Sequence, residues 1–151
     1  MGLAILEQLH DIAYLQNIQV NKYALPMRLR GLYYEEGNYR TISINSNVTT
    51  LSEEVDVMAE EIGHSVWCGG DLFFPNSADP ILKLKSEHNA KAYAYNLVLP
   101  VNTLVEALKN QMEIWDIAEE FGCTEVFVRE AMECYVRKGL IPQCTSSFND
   151  F

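Results

Sequence analysis

The chain has 151 residues, 48% of them hydrophobic, and a formal net charge of −10. That length is about one domain, and that apolar content builds a core, which excludes a disordered chain. The acidic excess opposes long-range attraction to nucleic acid and to anionic membrane, and no apolar run approaches the ~18 residues of a membrane-spanning helix.

The first residues, Met1 to Glu7, have no basic region and reach an acid at once, so no secretory signal is expected. Leu6 stands where a myristoylation signal has Ser or Thr. Cys68, Cys123, Cys134 and Cys144 show no Cys-x-x-Cys spacing and read as reduced thiols. A cytoplasmic protein with no nucleic-acid or membrane partner is expected. No linker or repeat divides the chain, so one domain is expected over 1–151.

Leu3, Leu6, Leu9, Ile12, Ala13 and Leu15 fall near helical spacing, with Glu7, Gln8 and Asp11 on the wet side. His10 lies on this helix with no ligand type three or four residues away and reads as a structural imidazole. Ile18–Asn21 alternates as a short strand. The runs Leu32–Tyr34 and Tyr39–Ile44 flank a Gly-containing loop and predict a hairpin. A second helix starts after Thr50, which forms a capping box with Glu53, with Ser52 as a competing cap. Val55, Met58, Ala59, Ile62 and Val66 make its apolar stripe, and Gly69-Gly70 ends it.

Asp71–Pro80 reads as a loop, and a third helix spans about Leu82–Leu99, stopped by Pro100. Its buried face is Ala90, Tyr93, Ala94, Leu97 and Val98, with the two alanines allowing close approach to the second helix. Helices follow over Val101–Lys109, Glu113–Phe121 and Thr124–Arg137, then a polar tail over Pro142–Phe151. Ile117–Arg129 has the cadence of a helix-turn-helix. Between Met112 and Leu140, however, seven acids face three bases, the wrong sign for phosphate contacts. Tyr93, Tyr95, Trp115, Phe121, Phe127 and Tyr135 read as core aromatics. Trp67 and the Phe73–Phe74 pair stand apart from them as walls of a groove.

The chemistry gathers at Val57–His64. Glu60-Glu61-x-x-His64 is one substitution away from His-Glu-x-x-His, in which two histidines four apart hold zinc and the glutamate works on a water. Residues four apart on a helix lie ~40° apart around its axis, so Glu60 and His64 aim at one point. Glu61, beside them, is placed to hold a water. Gly63 inside a helix costs ~1 kcal/mol against Ala, which implies a strand or loop passing close. Glu87, twenty-odd residues on, supplies a third ligand from the next helix. His88 and Cys68 are competing ligands, and a buried free thiol is the alternative reading of Cys68.

The run from Leu29 to Tyr34, then Met58-Ala59-Glu60-Glu61-Ile62-Gly63-His64, then Glu87-His88-Asn89-Ala90 through Tyr93-Ala94, Leu97 and Pro100 resembles the ImmA/IrrE family of phage- and mobile-element-associated metallopeptidases. The resemblance covers about residues 3–140. It implies an α+β, zincin-like fold: an N-terminal helix, a small antiparallel sheet, an active-site helix and a C-terminal helical segment. A metallopeptidase-like core would occupy about 1–100, helices about 101–140, and a tail 141–151. It further implies a Zn²⁺ metallo-endopeptidase, or antirepressor, acting on a helix-turn-helix repressor of a phage or prophage. His64 then matches the second metal histidine, Glu61 the general base and Glu87 the third ligand.

Glu60 stands where the family pattern has His. A Glu/His/Glu shell places two negative charges on the ion, so its bound water loses less of the fall from ~15.7 to about 7 seen in good zinc hydrolases. Oxygen-rich ligation also shifts preference toward Mn²⁺-like ions. The alternative is an inactive member, with another ion or none, that regulates a repressor by protein–protein binding. A substrate strand is expected to add to the hairpin edge around Tyr39–Asn45, unless Arg40 guards that edge for solvent.

Overall fold

A computed structural model describes residues 2–67 and 80–143. Helix α1 (Gly2–Leu15) leads into strands β1 (Gln19–Tyr23), β2 (Gly31–Glu36) and β3 (Tyr39–Asn45). Helices α2 (Leu51–Trp67), α3 (Pro80–Val98), α4 (Val101–Lys109), α5 (Ile114–Phe121) and α6 (Glu125–Arg137) follow. The class is α+β, as the sequence implies. None of the described helices is long and apolar enough to cross a membrane.

β2 and β3 form the expected hairpin, with Glu36 opposite Tyr39. Gly37 takes φ +59° at the first position of the two-residue loop, a conformation glycine adopts without Cβ strain. The sheet itself is mixed, in the order β1-β3-β2, because β1 lies parallel to β3. This corrects two expectations. The sheet is not wholly antiparallel, and Tyr39–Asn45 is the central strand. Both its edges are already hydrogen-bonded, so it has no edge to offer an added strand. Among the described residues, the outer strands are β1 and β2.

One face of the sheet packs on α1 and α2. Tyr33, Ile42 and Ile44 from the strands meet Val55, Met58, Ala59 and Ile62 from α2, all fully buried. The α2 stripe thus follows the sequence, except that Val66 is 45% exposed. Thr50 is the cap, its Oγ1 accepting from the Glu53 N–H at 3.3 Å. The Gly69-Gly70 stop, Cys68, Phe73, Phe74 and most of the Asp71–Pro80 loop lie outside the described residues, as does the tail from residue 144. Pro80 opens α3, where its missing N–H costs nothing.

Gly63 has a definite reason. A Cβ there would stand 2.2 Å from the Ala90 carbonyl oxygen. The neighbour is therefore helix α3, rather than a strand or loop, and Ala90 and Ala94 sit buried in the same contact. The last two helices do form a helix-turn-helix unit, with Gly122 as its left-handed cap at φ 68° and Thr124 as the cap of α6. Tyr95, Phe127 and Tyr135 are core aromatics, but Trp115 is 56% exposed. Cys123 and Cys134 are buried free thiols.

Candidate metal centre

Two helical rows and one loop build the site. Along α2, Asp56, Glu60 and His64 recur every fourth residue and lie on one face. Along α3, Glu87, Lys91 and Tyr95 do the same. The tight α2–α3 contact at Gly63 and Ala90 brings the two rows together.

One ligand atom from each of Glu60, His64 and Glu87 lies within 4.8 Å of the others. His64 Nε2 is 3.6 Å from a Glu87 carboxylate oxygen. Two ligands of a tetrahedral zinc, each 2.0–2.1 Å from the ion, lie about 3.4 Å apart. The donor set, one imidazole and two carboxylates, therefore fits a divalent cation in chemistry and in span. His88 is exposed and lines the neighbouring α3–α6 cleft, and His10 is exposed on α1. Neither joins the trio.

Glu61 lines the same cleft but turns toward strand β2. Its side chain lies where a Cβ on Gly31 would stand, 2.9 Å from both its Cγ and its Oε1. Glycine at position 31 is what lets the strand and the carboxylate share this space. The backbone N–H of Tyr33 donates to the Glu61 carboxylate. Burial pushes the Glu61 carboxyl up to about 8, the negative charges of Glu60 and Glu87 add to the rise, and the Tyr33 N–H opposes it. Burial also raises Glu60, while Lys91 and His64 pull it back. Burying Glu61 beside two further carboxylates is costly while it is charged.

The rest of the cleft, about 520 Å³, comes from elements the motif does not reveal. Arg28 and Arg30 enter from the segment before β2. Asn45 holds that segment, its Nδ2 donating to the carbonyls of Leu25, Pro26 and Leu29 and its Oδ1 accepting from the Leu25 N–H. Glu130 enters from α6. Asp56 fastens α6 to the metal helix by accepting from both the N–H and the hydroxyl of Thr124, whose Oγ1 in turn caps the Phe127 N–H at 3.1 Å. The N-terminus of α6 is thus turned into the molecule and engaged by α2. A second cleft of about 630 Å³ between α3 and α6 shares Glu87, Lys91 and Glu130 with the first. The two clefts meet along α3, and Glu87 is the member of the trio that lines both. Sequence reasoning missed Lys91, Asp56, Arg30 and Glu130. The four-residue rows on α2 and α3 were the available signal for the first two.

An active-site-type helix laid across a small sheet, with its third acidic residue on the next helix, is the build of a metallopeptidase-like domain. The profile of the IrrE N-terminal-like domain, Peptidase M78, matches residues 16–133, and the chain belongs to that family, the ImmA/IrrE metallopeptidases. No curated protein and no solved structure gives a significant match.

Proposed function

We propose that this protein is a metal-dependent endopeptidase of the ImmA/IrrE type, with Glu60, His64 and Glu87 as ligands and Glu61 as general base. The ion is zinc, and the substrate is a helix-turn-helix repressor of a phage or mobile element. The convergence of Glu60, His64 and Glu87 on one point carries the reading. When bound, a divalent cation there supplies Lewis acidity to the scissile carbonyl and to the attacking water.

The chain's own residues do the rest. In its ionised form, which a cation's positive charge beside it would favour, Glu61 takes the proton of the water on a carboxylate oxygen and passes it to the leaving amide nitrogen. The Tyr33 N–H holds the carboxylate in place, and the packing of β2 over it at Gly31 keeps bulk water away. The outer edge of β2 is where an extended substrate would lie.

Glu60 favours a second reading. Its extra negative charge makes a weaker Lewis acid than a two-histidine set, which suits a family member that acts on its repressor by binding. Incubation with a cognate repressor separates the two readings. Glu61→Gln should lower cleavage by about 10²–10⁴-fold while leaving binding intact, the range of a lost general base. Cleavage at the wild-type rate in Glu61→Gln would remove Glu61 from its role. Repressor inactivation without any cleavage would favour the binding reading.

A further inference from the structure

Lys91 takes no part in the donor set, yet it stands beside it. It follows Glu87 by four residues on α3, so both share one helix face. It is half-buried and lines both clefts, with Glu60 in one and Glu87 and Glu130 shared between them. It shares the cleft with Glu60 across the α2–α3 contact. The other cations of the cleft, Arg28 and Arg30, arrive from the segment before β2.

The formal charges give Lys91 a task. A divalent ion held by two histidines and one glutamate carries a net positive charge. Held by Glu60, His64 and Glu87, it carries none. An ammonium in the same cleft as Glu60 restores the positive charge without adding a ligand. We propose that Lys91 is the counter-charge to Glu60, a positioning residue that returns the metal centre to the charge of a two-histidine site. This rests on the metal-site reading above. Lys91 draws electron density from the Glu60 carboxylate and keeps the centre electrophilic, at the cost of affinity for the ion. Without metal, it steadies the packed carboxylates.

Two measurements test this, one with metal and one without. Zn²⁺ is titrated into metal-free protein against a competing chelator. Lys91→Met should bind Zn²⁺ about tenfold more tightly, the scale of removing one like charge at partly screened range. Lys91→Arg, which keeps the charge, should bind as wild type does. Thermal unfolding of the metal-free proteins then forms a double-mutant cycle. Lys91→Met should lower Tm when Glu60 is present, and the loss should shrink in the Glu60→Gln background. Unchanged or weaker Zn²⁺ binding in Lys91→Met overturns the proposal, and so does a Tm loss equal in both backgrounds. If neither wild type nor Lys91→Met binds Zn²⁺, the metal reading itself fails, and with it the tuning role. The metal-free cycle distinguishes that failure from a lack of coupling between Lys91 and Glu60.

Discussion

Asn45 shows how one side chain positions a site it never touches. It is 2% exposed, and its amide satisfies the backbone of the segment that carries Arg28 and Arg30. Each such bond contributes about 1 kcal/mol net, and a buried group left unpaired costs about 1–3 kcal/mol. Asn45→Ala should therefore lower unfolding stability by about 2–4 kcal/mol, read by chemical denaturation. A loss under about 0.5 kcal/mol, the size of an ordinary surface change, would show that the segment is held by other means. None of this could be read in advance, because the sequence does not show which backbone groups a polar side chain at the end of a strand will meet. Glu60, Glu61, His64 and Glu87 were legible for the opposite reason. Helical spacing fixes which side chains share a face, so i and i+4 can be read without knowing the fold. Lys91 follows Glu87 at the same spacing, whereas Glu130 meets them only through packing between helices.

Between elements, the α2–α3 contact depends on the absence of one carbon. Gly63→Ala places a Cβ 2.2 Å from a backbone carbonyl oxygen of α3, which no rotamer change relieves. The helices must separate, at a cost of about 1–3 kcal/mol or more, and His64 moves away from Glu87. The expected outcome is a lower Tm together with weaker metal binding. A variant as stable as wild type would disprove the close approach. A glycine mid-helix announced a near neighbour, but sequence could not say that it was a helix. The same limit applies to β1, whose alternation predicted a strand and not its parallel partner, and to Val66 and Trp115, which continue apolar stripes past the reach of the elements that cover them.

The link from α2 to α6 carries a pH signature. Burial pushes the Asp56 carboxyl from 3.8 up to about 6, against the Thr124 hydrogen bonds and the charge of Arg30, with Glu130 adding to the rise. A carboxyl with a raised folded-state pKa holds its proton more tightly when folded. Its contribution to stability is therefore greatest below about pH 4 and is lost as pH rises through about 6. The shift corresponds to about 1–3 kcal/mol. Relative to Asp56→Asn, the wild-type protein should gain stability between pH 7 and pH 4.5, measured by denaturation at both values. A difference independent of pH would mean that Asp56 titrates normally.

Over the whole molecule, the sheet, α1 and α2 form the base, α3 brings the third acid, and α6 lines the cleft from the far side. The helix-turn-helix cadence in the sequence appears in the structure as α5 and α6 joined by a short turn. Thr124, the cap of α6, is hydrogen-bonded to Asp56 of α2. The site therefore draws on residues from 28 to 130, most of the span matched to the family. If a cation neutralises this centre, it stabilises the folded chain alone, by about 2.7 kcal/mol at a hundred times its Kd.

Zn²⁺ titration of metal-free protein tests the central claim most directly, comparing wild type with His64→Ala and Glu87→Ala. The structure predicts one Zn²⁺ per chain, a rise in Tm on binding, and loss of both when either residue is replaced. Wild-type protein that takes up no Zn²⁺, or variants that bind it as tightly as wild type, would contradict a metal centre at Glu60, His64 and Glu87.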